Sequence, residues 1–115
     1  MKQITVLIVD DSAFMRREIR KILESDAEIK VVATSRNGEE ALQHVVQFNP
    51  DVVTLDINMP DMDGLTALQH IMMEFPRPVV MLSSLTKEGS ITTYEALELG
   101  AVDFVGKPGG TISRN

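Results

Sequence analysis

Cysteine and tryptophan are absent from the 115 residues, and the aromatics amount to one tyrosine and four phenylalanines. Without cysteine the chain has no disulfide, no thiolate nucleophile and no cysteine-ligated metal, and its redox compartment is left open. It also lacks a basic excess, since 11 Lys and Arg face 17 Asp and Glu for a net charge of −6. Nucleic-acid binding needs clustered cations that displace counterions from phosphates, so no nucleic-acid partner is expected. The one basic cluster, Arg16, Arg17, Arg20 and Lys21, reads as the solvated face of a helix. No apolar run approaches membrane-spanning length, and the first residues enter a strand without a signal-peptide core. A cytoplasmic location without membrane insertion is the expectation. No glycine-rich loop follows the first apolar run, which removes the P-loop and dinucleotide-binding classes. What remains is 43% hydrophobic and 24% charged, the composition of one ordinary globular domain.

Apolar patterning divides that domain into alternating strands and helices. Ile4–Val9 is apolar except for the β-branched Thr5, as expected of a strand buried on both faces, and it stops at Asp10-Asp11. Ser12 offers an N-cap, after which Met15, Ile19, Ile22 and Leu23 recur at helical spacing. A short strand is predicted over 29–33, broken by Asn37-Gly38. A second helix follows with Ala41, Leu42, Val45 and Val46 as its inner stripe. A third strand over 51–55 leads to Asp56, and Leu65, Leu68, Met72 and Phe75 mark a third helix that Pro76 stops. A fourth strand over 78–82 ends at Ser83-Ser84. A less regular helix is predicted over 87–99 with Gly100 as its C-cap, and a fifth strand over 102–105 ends at Lys107-Pro108. Strict alternation implies parallel strands with right-handed crossovers, an α/β doubly wound five-stranded sheet. Residues 1–108 form the expected domain. Residues 109–115, Gly-Gly-Thr-Ile-Ser-Arg-Asn, read as the start of a linker without a fifth helix.

Ligands of such sheets collect outside the carboxyl ends of the strands, and the strand order 2-1-3-4-5 puts the crevice between strands one and three. Asp10, Asp11 and Asp56 then meet at one rim, with Ser83 and Lys107 beside them. Alone, a strand-end aspartate more often caps a helix than carries chemistry. Three carboxylates in a partly dry crevice repel one another by several kcal/mol (roughly) unless a proton or cation compensates. A hard divalent cation such as Mg²⁺, bound by few protein oxygens and several waters, suits that set and tolerates a phosphate alongside. Lys107 supplies a point charge and Ser83 a hydroxyl for phosphoryl oxygens, so Asp56 can attack phosphorus in line and become an acyl phosphate.

Asp10-Asp11, Asp56 followed by Met59-Pro60 and Asp63-Gly64, Ser83, and Lys107-Pro108 together resemble the receiver domain of two-component response regulators. Asp11-Ser12-Ala13-Phe14-Met15-Arg16, the 83–89 segment Ser-Ser-Leu-Thr-Lys-Glu-Gly and residues 96–105 are similar to the chemotaxis protein-glutamate methylesterase subfamily. The resemblance implies a flavodoxin-like receiver fold in which Asp56 is the phosphoacceptor, Asp11 contacts Mg²⁺ directly, Asp10 acts through water and Asn58 contributes its backbone carbonyl. It implies that Ser83 is the switch hydroxyl, Phe104 the aromatic switch and Lys107 the phosphate contact, with a cis Lys107-Pro108 bond of the kind proline permits. A chemotaxis-type histidine kinase would be the phosphoryl donor. Phosphorylation would relieve inhibition of a C-terminal esterase, outside this chain, that demethylates and often deamidates chemoreceptors.

The chain departs from the common receiver pattern at four points. Ser83 stands for the usual threonine, Phe104 where many receivers have tyrosine, and Asn58 where the methylesterases often carry an acid, and the fifth helix is missing. The last departure is expected to expose the sheet edge and one flank of the first helix. Taken singly, Phe104 reads as a core aromatic, the seven methionines as packing, and His44 and His70 as exposed helix residues without a ligand partner. A stand-alone receiver acting as a phosphorylation-dependent binding module is the competing function. A receiver joined to a DNA-binding output would keep that element outside this chain. No serine here sits in a nucleophile elbow, so the domain carries no esterase machinery of its own.

Overall fold

The computed structural model describes residues 2–59, 62–83 and 94–107. Its elements run β1 (Ile4–Val9), α1 (Ala13–Glu24), β2 (Ile29–Ser35), α2 (Gly38–Phe48), β3 (Val52–Asp56), α3 (Gly64–Glu74), β4 (Val79–Ser83), helical backbone over 94–98, and β5 (Asp103–Gly106). The five strands form one parallel sheet in the order β2-β1-β3-β4-β5, as expected for a doubly wound α/β domain. Ser84, the earlier part of the helix expected over 87–99, the Lys107-Pro108 peptide and residues 109–115 lie outside the described residues.

Helices α1, α2 and α3 each start at a residue whose side chain accepts a backbone N–H of the first turn: Ser12 from Met15, Asn37 from Glu40 and Asp63 from Thr66. Such a cap contributes about 1 kcal/mol by satisfying a donor that the helix leaves unpaired. Asn49 ends α2 in the left-handed conformation, φ 47°, which asparagine tolerates better than most side chains.

The buried strands place alternate residues on the two faces. Leu7, Val9, Val53 and Leu55 join Val45, Leu68 and Ile71 from α2 and α3 in the larger cluster. Val6 and Ile8 join Ile19, Val31 and Leu82 in a smaller cluster on the α1 side. Beside the smaller cluster lies an apolar groove of about 460 Å³ lined by Ile19, Ile22, Leu23, Val80, Val105 and neighbouring side chains.

Four strands depart from their predicted bounds in one sense. β2 runs to Ser35 instead of stopping at residue 33, because a register shift between Val6 and Leu7 lets Thr34 and Ser35 pair with Ile8 and Val9. β3 includes Asp56, β4 includes Ser83 and β5 includes Gly106, each held by a lateral pair: Asp56 with Leu82, Ser83 with Gly106. Polar residues at strand ends look like loop in the sequence, yet ladder hydrogen bonds keep them in the sheet. Two helix positions also differ. Ile22 is 54% exposed and Val46 63% exposed, although both were assigned to inner stripes. On α2 the line through Ala41 and Val45 faces the sheet, and the line through Leu42 and Val46 turns progressively away from it. Ile22 lies along the open groove.

Candidate functional site

The rim forms because three strands deliver residues at or just beyond their carboxyl ends to the same edge. Asp10 follows β1 and Asp56 ends β3, and the two are neighbours because β1 and β3 pair directly. Both are fully buried, whereas Asp11 is exposed. Each of the three offers a carboxylate oxygen, and these oxygens lie within 4.8 Å of one another. Lys107 follows β5 and crosses β4's edge to reach both buried acids, with Nζ 3.0 Å from Asp56 Oδ1 and 3.2 Å from Asp10 Oδ2. Its backbone N–H donates to the Ser83 carbonyl at 2.9 Å, so β4 fixes where the lysine leaves the sheet.

The electrostatics are those of an overcrowded pocket. Burial, and then the neighbouring Asp10 charge, push the Asp56 carboxyl up to about 6, against the stabilising pull of Lys107 and the Asn58 N–H. Burial works against the Lys107 ammonium, but its hydrogen bond to Asp56 and the charges of Asp56 and Asp10 outweigh that and hold it above the ordinary lysine value. One ammonium cannot balance three carboxylates. The hydrogen-bond inventory shows where the deficit sits. Asp10 Oδ1 accepts from Ser12 N–H at 2.9 Å and Asp56 Oδ1 from Asn58 N–H at 3.3 Å. Asp10 Oδ2 has the Lys107 charge at 3.2 Å without an aligned hydrogen bond, and Asp56 Oδ2 has no hydrogen-bond partner among the described residues. A buried carboxylate oxygen left that way costs free energy, and an oxygen-seeking divalent cation or a phosphoryl group would relieve it. The donor set, three carboxylates, fits Mg²⁺ and does not suit a soft metal.

The remaining predicted residues take these places. Ser83 is buried at the end of β4, on the same rim. Asn58 is exposed in the turn after β3. Phe104, on β5, is half-buried and packs against the larger cluster, the position of a core aromatic. His70 does have a carboxylate at helical spacing, Glu74 at 3.3 Å, contrary to the expectation of none. His44 is half-buried and meets the Ser35 hydroxyl at 2.8 Å, so it is not simply an exposed helix residue.

Two contributors escaped the sequence reading. Arg16, assigned to a solvated face, donates from Nη1 to the Asp10 carbonyl at 2.8 Å, four residues after the Ser12 cap. Gly64 donates its N–H to the Ile57 carbonyl at 2.8 Å, and a Cβ there would overlap the Asp56 carbonyl oxygen and stand 2.6 Å from Ile57 Cα. Only glycine lets α3 begin against the backbone of the acidic strand. The Asp63-Gly64 pair was the available signal, though its contact partner was not.

Comparison with known proteins converges on this geometry. Residues 6–112 match the response regulator receiver domain. The chain is 60% identical over 113 residues to a protein-glutamate methylesterase/protein-glutamine glutaminase of Carboxydothermus hydrogenoformans, covering 98% of this chain and 32% of the relative. It thus spans about a third of the length of the curated relatives it matches. Among solved structures, it superposes on the response regulator domain of Thermotoga maritima CheB with a TM-score of 0.88 and 49% identity, covering 97% of this chain and 84% of that one. It also superposes on CheY6 of R. sphaeroides, solved with the P1 domain of CheA3, with a TM-score of 0.80 and 42% identity, covering 97% and 88%. The rim of buried acids, the strand order and these matches together establish that the chain belongs to the response regulator receiver family, as a receiver of the chemotaxis methylesterase type.

Proposed function

We propose that Asp56 is the phosphoacceptor of this receiver and that a chemotaxis-type histidine kinase is its phosphoryl donor. The observation that carries the reading is the unequal treatment of the two Asp56 oxygens. Oδ1 is engaged by Lys107 and the Asn58 N–H, and Oδ2 is buried without a hydrogen-bond partner among the described residues. Oδ2 is therefore the attacking atom. Its bond to phosphorus forms as the donor's nitrogen–phosphorus bond breaks, and the departing imidazole takes up a proton. Lys107, already charged and desolvated, neutralises oxygen charge during transfer, and Ser83 offers its hydroxyl to a phosphoryl oxygen. Asp11 and Asp56, with Asp10 through water and the Asn58 carbonyl, would hold Mg²⁺, which when bound supplies charge neutralisation at the phosphoryl oxygens. Phe104 acts as the switch aromatic, steric in its effect because it has no hydroxyl.

Residues 1–108 constitute the receiver, followed by linker. In the longer protein, phosphorylation relieves inhibition of a C-terminal protein-glutamate methylesterase, with glutaminase activity as in the named relatives, acting on chemoreceptors in the cytoplasm. No described helix is long and apolar enough to cross a membrane. The donor assignment is supported by the CheA3 P1 complex of the similar CheY6.

Incubation with a small acyl phosphate and Mg²⁺ is expected to add one phosphoryl group, read by intact mass. Asp56→Asn is expected to abolish it, and chelation of Mg²⁺ to slow it severely. Stoichiometric uptake by Asp56→Asn would refute the assignment.

A further inference from the structure

We propose that His44, acting through Ser35, is a positioning residue for the acidic site, an inference that rests on the Mg²⁺-dependent phosphoacceptor reading above. Ser35 is the last residue of β2 and is fully buried. Its hydroxyl lies 2.8 Å from His44 Nδ1, and its carbonyl accepts the backbone N–H of Asp10 at 3.0 Å. One residue thus links α2 to the backbone of a buried site acid. α2 contributes no carboxylate to the acidic cluster, so this is a route by which that helix bears on it.

The sheet makes the link matter. β2 is an edge strand, laddered only to β1, and the register shift between Val6 and Leu7 offsets its carboxyl half from its amino half. The orientation of the Ser35 peptide is then set by three pairs at most, ending at Val9 with Ser35. A buried hydroxyl has to be satisfied, and the imidazole nitrogen satisfies it from outside the sheet. The ring is itself held edge-on against Phe48, with centroids 5.5 Å apart. Glu40, one turn earlier on α2, is tied to Arg36 at 3.2 Å. Fixing the Ser35 side chain fixes its carbonyl, and with it the direction in which Asp10 leaves β1 toward Ser12 N–H and Lys107. His44 touches no reacting atom. It narrows the range of positions that Asp10 can take.

The test uses three single variants and one double. His44→Phe keeps the ring contact and removes the nitrogen, His44→Asn restores a polar atom near the Nδ1 position, and Ser35→Ala removes the hydroxyl. Folding is checked by circular dichroism, after which amide exchange at Asp10 and the Mg²⁺ dissociation constant are followed by NMR. His44→Phe and Ser35→Ala are each expected to speed Asp10 amide exchange about tenfold. Both are expected to weaken Mg²⁺ binding by about three- to tenfold. His44→Asn should stay near the parent, and the double variant should be no worse than either single, since both break one link. Parent-like exchange and Mg²⁺ affinity in His44→Phe and Ser35→Ala would overturn the proposal, as would His44→Asn behaving like His44→Phe. A parent domain that binds no Mg²⁺ overturns this proposal together with the reading beneath it, whereas a parent that binds it equally well with or without the link overturns this one alone.

Discussion

The two faces of the sheet are made by the same strands and end in different conditions. On the α2 and α3 side, Leu7, Val9, Val53 and Leu55 are covered completely, and Leu68 and Ile71 of α3 are themselves fully buried. On the α1 side, Val6 and Ile8 are buried, but Ile22 and Val105 stand 54% and 46% exposed along the groove. Alternation along a strand decides which face a residue joins. How dry that face becomes depends on how many helices reach it. The rim belongs to both sides and inherits the difference: Gly64 fastens the start of α3 against the backbone of the acidic strand, while the start of α1 meets Asp10 through hydrogen bonds from Ser12 N–H to its Oδ1 and from Arg16 to its carbonyl.

The asymmetry can be broken most severely on the covered face. Leu68→Ala is expected to cost about 4 kcal/mol, since it opens a cavity where no side chain can follow. Urea unfolding measures it. Gly64→Ala follows at about 3 kcal/mol, because the new methyl meets backbone and not a flexible side chain. It is also expected to lower the rate of phosphoryl uptake, by shifting Asp56. If Gly64→Ala unfolds like the parent, the close approach of α3 to β3 is not a constraint.

A smaller effect is expected at Asp56, and its sign depends on pH. The carboxyl is held near 6 in the folded domain against an ordinary 3.8, so between these values the folded state binds more protons than the unfolded one. Its contribution to stability is therefore complete below the unfolded value and is lost as pH rises through the folded one. Asp56→Asn is expected to stabilise the Mg²⁺-free domain at pH 7 and to change little near pH 3.5. Unfolding midpoints at the two values test this, and an equal shift at both would show that the charge is not strained. Mg²⁺ competes with that same proton, so its stabilisation of the wild-type domain should grow between pH 5 and 7. The smallest effect belongs to the groove, where Ile22→Ala is expected to stay within about 0.5 kcal/mol because the side chain is half in water already. A loss comparable to that of Leu68→Ala would erase the contrast between the faces.

Much of this was readable one element at a time. The apolar runs, the Ser12 cap, the turn after Asp56 and the identities of Asp10, Asp11, Asp56 and Lys107 are local signals, and each sits where the patterning placed it. The errors were local as well. The predicted strands stop one or two residues short of Ser35, Asp56, Ser83 and Gly106 because polar and small residues end strand patterns, whereas lateral pairing decides where a strand stops. His44 carried no signal, because its partner lies on another element and serine has no distinctive spacing.

By itself the sequence determined which residues are apolar, at which period they recur and which carboxylates end the strands, because these follow from side-chain chemistry and backbone geometry within a few residues. Only the tertiary structure decided that Lys107 reaches both Asp10 and Asp56, that one Asp56 oxygen has no hydrogen-bond partner among the described residues, and that Ile22 borders an open groove. Those outcomes depend on register and crossover between segments far apart in the chain, and on the burial that results, which no local pattern encodes.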